Sequence, residues 1–189
     1  MTRKPFQMKL DESLELKSVA ERDARALFQL VDTNRLYLRQ WLPWIDYTQT
    51  VEDELAYIRS VTMQFQDNQS ISCAILYKGS IAGTISYHPI DWANRKVEIG
   101  YWLGAQFQGK GLMSAACKAL TAYAFENLKL NKVEIRCATG NIRSCAIPQR
   151  LGFVEEGTIR QAEWLYDHFV DLRLYGLLVS EWKHQQKRS

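Results

Sequence analysis

Two hydrophobic periods take turns along the chain, and their order predicts its elements. LELKSV (residues 14–19) alternates apolar and polar positions, as a half-buried strand does. Ala24, Leu27, Phe28 and Val31 then recur at helical spacing. YLRQWLPWIDY (37–47) crowds aromatics around Pro43, which predicts a packed loop or a broken helix. Thr50 stands where a second helix needs a cap, with Asp53 three residues on, and Val51, Leu55, Ile58 and Phe65 mark one face. The period then shortens to two. SISCAILY (70–77) and SIAGTISYH (80–88) are strands split by Lys78-Gly79, a hairpin turn. After the turn-like DWANRK (91–96), VEIGYWL (97–103) is another strand. Residues 112–128 return to helical spacing, with Leu112, Ala116, Ala119 and Tyr123 on one stripe. KVEIRCA (132–138) is a strand and residues 144–151 a short helix. FVEEGTI (153–159) and FVDLRLYGLL (169–178) are two closing strands.

This order predicts one mixed α/β (α+β) domain over residues 1–189. It has a mostly antiparallel sheet of about six to seven strands, flanking helices and a single β-α-β crossover in the middle. Neither an internal repeat nor a low-complexity linker interrupts it.

Composition narrows the function classes. Apolar residues make up 47% and charged residues 24%, with a formal net charge of +3. That charge is too weak to imply a nucleic-acid partner. Lys183, His184, Lys187 and Arg188 read as a solvated helix end. Cys73, Cys117, Cys137 and Cys145 form no CxxC pair, and His88, His168 and His184 have no ligand spacing, so no metal is expected. The thiols point to a reducing compartment. MTRKPFQMKL turns polar too soon for a signal peptide, and no apolar run approaches the ~18 residues of a membrane span. The expectation is a cytoplasmic protein without a membrane partner.

The candidate chemistry lies in QFQGKG (106–111), between a strand and a helix. Residues 104–111 match the Walker A pattern except at Gly111, where a hydroxyl should ligate magnesium. Gly109 and Gly111 fit the dinucleotide fingerprint, but Ser114 stands at its third glycine, and the acidic residue expected at the end of the next strand is missing. The remaining spacing, Gln106-x-x-Gly109-x-Gly111, lets backbone amides at a helix N-terminus hold a phosphate that is not transferred.

This loop resembles the acetyl-CoA pyrophosphate loop of the GNAT N-acetyltransferase superfamily. EIGYWL (98–103), QFQGKG and NIRSCAIPQRLGF (141–153), with the early WLPW (41–44), resemble the RimJ/RimL-type branch, similar to ribosomal-protein serine and alanine acetyltransferases. The likeness runs from about Leu14 to Trp182. It implies acetyl-CoA as cosubstrate and direct attack on the thioester by an amine. The acceptor amine is the N-terminus of a protein such as a ribosomal protein, or alternatively a small polyamine, amino acid or antibiotic. A non-catalytic acyl-CoA-binding module is a third reading, and a homodimer or higher homo-oligomer is compatible with all three.

The resemblance also assigns residues. Glu98 falls where these enzymes often carry a basic carboxylate, with His168 a weaker alternative. Many relatives place an acidic tyrosine seven residues after the motif asparagine. That position is Pro148, and Ser144 takes the role as a hydrogen-bond donor to the departing thiolate. The backbone of Ile99, Tyr101, Trp102 and Leu103 would pair with pantetheine, which Asn141 also holds. Gln106, Gly109, Lys110, Gly111, Leu112 and Met113 would hold the pyrophosphate. Trp41, Trp44 and Tyr47, with Trp164 and Tyr166, would face the acceptor.

Overall fold

The computed structural model describes residues 3–187. Its elements are β1 (Gln7–Lys9), β2 (Leu14–Ser18), α1 (Ala24–Thr33), a short α2 (Arg35–Leu38), α3 (Val51–Gln66), β3 (Ile71–Tyr77), β4 (Ser80–Tyr87) and β5 (Lys96–Leu103). These are followed by α4 (Leu112–Glu126), β6 (Lys132–Ala138), α5 (Ile142–Arg150), β7 (Val154–Leu165), β8 (His168–Leu178) and α6 (Val179–Gln186). The eight strands form one sheet in the order β1-β2-β3-β4-β5-β6-β8-β7. Every neighbour pair is antiparallel except β5 with β6.

The sheet thus holds more strands than the six to seven expected, because β1 has only three residues, too few to show an alternation. Its partner register, Met8 opposite Leu16, is set by tertiary pairing. α6 carries the basic residues Lys183 and His184 on its last turn, and its Trp182 packs against Phe125 of α4 with ring centroids 5.5 Å apart. Arg188 lies outside the described residues.

Local chemistry fixes the elements that frame the centre. Thr50 and Asp53 form a reciprocal capping box at the start of α3. Lys78 and Gly79 both have positive φ, 51° and 80°, which matches the tight turn joining β3 to β4. α4 turns Met113, Ala116, Cys117, Leu120 and Ala124 into the core beneath β5 and β6. That stripe is rotated from the expected one. Ala119 and Tyr123 are only half-buried, and Phe6 covers Tyr123 edge-on at 4.9 Å. On the opposite face of the sheet, α1 and α3 bury Leu27, Ile58 and Val61 against Ala74 of β3.

Candidate active site

The centre of the sheet is split. β5 and β6 pair only at Lys96–Lys132, Val97–Val133 and Glu98–Glu134. Beyond Glu98, β5 remains paired to β4 as far as Leu103, and β6 remains paired to β8 as far as Ala138. The two strands therefore diverge and leave two facing backbone edges without strand partners. An extended ligand can fill such a gap by adding to the edge of β5. Buried Glu134 ties the point of divergence, with Lys132 at 2.9 Å and Lys96 at 3.7 Å.

α4 starts at the wide end of this gap. Gly109 and Gly111 have φ of 72° and 75°, and a Cβ on either would meet nothing within 4 Å. Open space there and a left-handed backbone together make a cradle in front of the helix N-terminus, whose first amides lack carbonyl partners within the helix. A cavity of about 780 Å³ adjoins it. Lys110, Arg143 and Arg150 line that cavity and no carboxylate does, so its field favours a polyanion. The mouth is cross-braced. Gln108 bonds the Tyr37 hydroxyl and accepts from Arg143 at 2.7 Å, and Arg150 reaches Ser114 at 3.1 Å. Buried Asn34 accepts from the Ala105 amide at 2.8 Å and so anchors the loop to the end of α1.

Ser144 sits on the α4 side of the gap. Asn141 caps α5 by accepting from the Ser144 amide at 3.1 Å. The Ser144 Oγ lies 3.2 Å from both the Cys137 Sγ of β6 and the Tyr101 hydroxyl of β5. Burial pushes the Tyr101 phenol well above its ordinary pKa, and it likewise pushes the Cys137 thiol up to about 12.

Glu98 faces the other way. Val97 and Ile99 point into the core with α4, so strand alternation turns Glu98 to the opposite face. There the Arg136 Nε lies 3.2 Å from its carboxylate. His88 lies close over Gly100, where a Cβ would come 2.5 Å from its Nε2. Glu163 approaches from β7, beyond an irregularity between Ile159 and Glu163. Burial raises its carboxyl pKa, and the charge of Glu98 raises it further.

A family model for the acetyltransferase (GNAT) domain matches residues 13–154. The chain belongs to the GNAT acetyltransferase family. The putative ribosomal N-acetyltransferase YdaF of Bacillus subtilis (strain 168) is 38% identical over 182 residues, 96% of this chain and 100% of that protein. RimL, a ribosomal L7/L12 α-N-protein acetyltransferase solved with coenzyme A, has a TM-score of 0.89 at 29% identity, over 93% of this chain and 99% of that one. The microcin C7 self-immunity acetyltransferase MccE, solved with acetyl-CoA and AMP, has a TM-score of 0.86 at 30% identity, over 90% and 95%. This GNAT chain is accordingly an N-acetyltransferase with acetyl-CoA as cosubstrate, and the phosphate cradle, cationic cavity and split sheet suit that ligand. Among the described residues no helix is long and apolar enough to cross a membrane, and no cluster of His, Cys, Asp or Glu could hold a metal.

Within the GNAT frame, the cavity gathers many residues expected from the sequence: Trp41, Tyr101, Trp102, Leu103, Gly109, Lys110, Gly111, Leu112, Met113, Asn141 and Ser144. Others lie apart from its lining. Ile99 is buried in the core, and Gln106 uses its carbonyl to accept from Lys110 at 3.1 Å. Trp44 packs on Trp102 with centroids 6.1 Å apart, and Tyr47 is exposed. His168 pairs with Asp167 on the surface at 2.6 Å. Trp164 stacks edge-on with Phe169, and Tyr166 bonds the Leu42 carbonyl beneath the Arg39 guanidinium. Sequence reasoning missed Glu163, Arg143, Arg150, Asn34 and the side chain of Tyr101. Only the two arginines left a signal, as i, i+7 cations on α5.

Proposed function

We propose that this GNAT enzyme acetylates the N-terminal α-amine of a protein, with ribosomal proteins as the acceptor class, by direct attack of the amine on the acetyl thioester. One observation carries this reading: the gap between β5 and β6 has the Glu98 carboxylate, whose charge Glu163 of β7 feels, on one face and the Ser144 hydroxyl on the other. An amine entering from the carboxylate face would displace a thiol toward Ser144. The chain's similarity to the ribosomal acetyltransferases YdaF and RimL supports the acceptor class. The amine chemistry supports it too. An α-amine has a pKa near ~8, so a weak carboxylate base suffices, whereas a lysine or polyamine near ~10 asks for more.

In this reading Glu98, paired with the Arg136 guanidinium at 3.2 Å, orients the incoming ammonium. Glu163 takes the proton, directly or through water, because its raised pKa lies closer to that of the amine. The Ser144 hydroxyl donates a hydrogen bond to the developing thiolate, and Asn141 fixes the turn that presents it. Gly109, Lys110, Gly111, Leu112 and Met113 hold the pyrophosphate, and the open edge of β5 pairs with the pantetheine amides. A reducing cytoplasm suits the four free, buried cysteines.

The test is mass-mapped acetylation of a panel containing ribosomal-protein N-terminal peptides, the same peptides blocked at the α-amine, and spermidine. The expected product carries its acetyl on the α-nitrogen of an unblocked peptide. Acetylation of spermidine with no peptide product would move the acceptor to small amines.

A further inference from the structure

The Ser144 hydroxyl has one proton, and the roles above require that proton to point at sulfur. What aims it is found across the gap. Pro148 stands four residues after Ser144 inside α5, and a proline has no N–H. The Ser144 carbonyl therefore loses its helical donor, four residues on. The Tyr101 hydroxyl lies 3.3 Å from that carbonyl oxygen and 3.2 Å from the Ser144 Oγ. Its ring lines the cavity from β5, so the phenol bridges the divergent strand to the helix bearing the serine.

The geometry points to Tyr101 as the positioning residue for Ser144: its hydroxyl donates toward the serine and so directs the Ser144 proton away from β5, onto the sulfur of the cosubstrate. This rests on the proposed role of Ser144. With the Ser144 Oγ donating to Cys137, the single phenol proton is shared between the carbonyl and Oγ of one residue, 3.3 and 3.2 Å away, and the phenol occupies the serine's lone-pair side. In the structure the Ser144 Oγ already stands in donating geometry to a sulfur, the Cys137 Sγ at 3.2 Å. A thiolate arriving in the gap would compete for the serine proton as a charged and stronger acceptor.

Proton transfer along the pair is unfavourable. A thiol titrates near ~8.5, well below both a serine hydroxyl and a phenol that burial has raised. Tyr101 therefore stays protonated throughout the cycle, as an aiming donor rather than an acid. No bond to hydrogen breaks in either side chain, and the thiol takes its proton from solvent after departure. The arrangement also explains how a proline is tolerated at position 148: the hydroxyl that supports the thiolate comes from α5 one turn earlier, and the orphaned carbonyl is satisfied from the neighbouring strand.

The test compares Tyr101→Phe, Ser144→Ala and the double variant by steady-state kinetics, using the peptide the parent acetylates best. Tyr101→Phe keeps the ring and removes only the hydroxyl. It should lower kcat on the order of tenfold, the scale of one lost hydrogen bond, with KM for acetyl-CoA within about twofold. In the Ser144→Ala background the same change should cost nothing further in kcat. Thermal melting and CoA titration on all three variants separate lost alignment from lost folding. A Tyr101→Phe effect of equal size with and without Ser144 overturns the inference, as does one that falls only on KM. If Ser144→Ala is impaired and Tyr101→Phe is not, the positioning role alone falls. If Ser144→Ala is fully active, the role of the serine falls and takes this inference with it.

Discussion

Glu54 shows how one residue can set a pH dependence outside the cavity. It lies on the sheet side of α3 and is 5% exposed. Burial pushes its carboxyl from the usual 4.5 up to about 7. The unfolded chain releases this proton at lower pH than the folded one, so between those values the folded state binds more protons. Stability therefore falls as pH rises through that window. Glu54→Gln keeps the shape and removes the penalty. Its Tm should exceed that of the parent at about pH 8, and the difference should vanish toward about pH 5. An equal difference at both pH values would show that the carboxyl does not titrate there. At Gly111, alanine should cost about 1 kcal/mol of stability through its left-handed φ. It should also raise the Kd for CoA on the order of tenfold, since the new methyl enters the phosphate cradle. Calorimetric titration checks it.

Legibility at this scale followed sequence distance. The cradle glycines, Asn141 and Ser144 lie within contiguous motifs and were readable. Tyr101 was assigned through its backbone alone, because the partner that gives its hydroxyl a task lies 43 residues away across the gap. Glu163 sits in a stretch too irregular to show a period, after the break in pairing with β8.

Elements built from local signals were the easiest to read. The Thr50–Asp53 capping box is an example. Thr50→Ala should lower stability by about 1 kcal/mol in a denaturant titration, with little change in m. The split between β5 and β6 was not readable, since nothing in VEIGYWL or KVEIRCA announces where pairing stops. Side chains at the point of divergence define it. Glu134 there is buried among Lys132, Lys96 and Arg136. Glu134→Gln removes the buried anion shared by the partly exposed Lys132, Lys96 and Arg136 and should cost on the order of 1 kcal/mol. Hydrogen exchange should then rise first in residues 96–98 and 132–134. Uniform exchange over the whole chain would argue against a local clasp.

For the molecule as a whole, the split sheet implies a mode of catalysis. A covalent acetyl-enzyme would need a nucleophile at the gap, and the stronger one there, beside the Ser144 hydroxyl, is Cys137. Its thiol is 3% exposed and burial pushes its pKa up to about 12, which leaves almost no thiolate near neutral pH. Both substrates should therefore be bound together, the cosubstrate through the gap and the amine on the carboxylate face. The most direct test is the initial-velocity pattern with acetyl-CoA and an acceptor peptide varied against each other. Direct transfer in a ternary complex predicts intersecting double-reciprocal lines. Parallel lines, the mark of an acetylated enzyme intermediate, would contradict it.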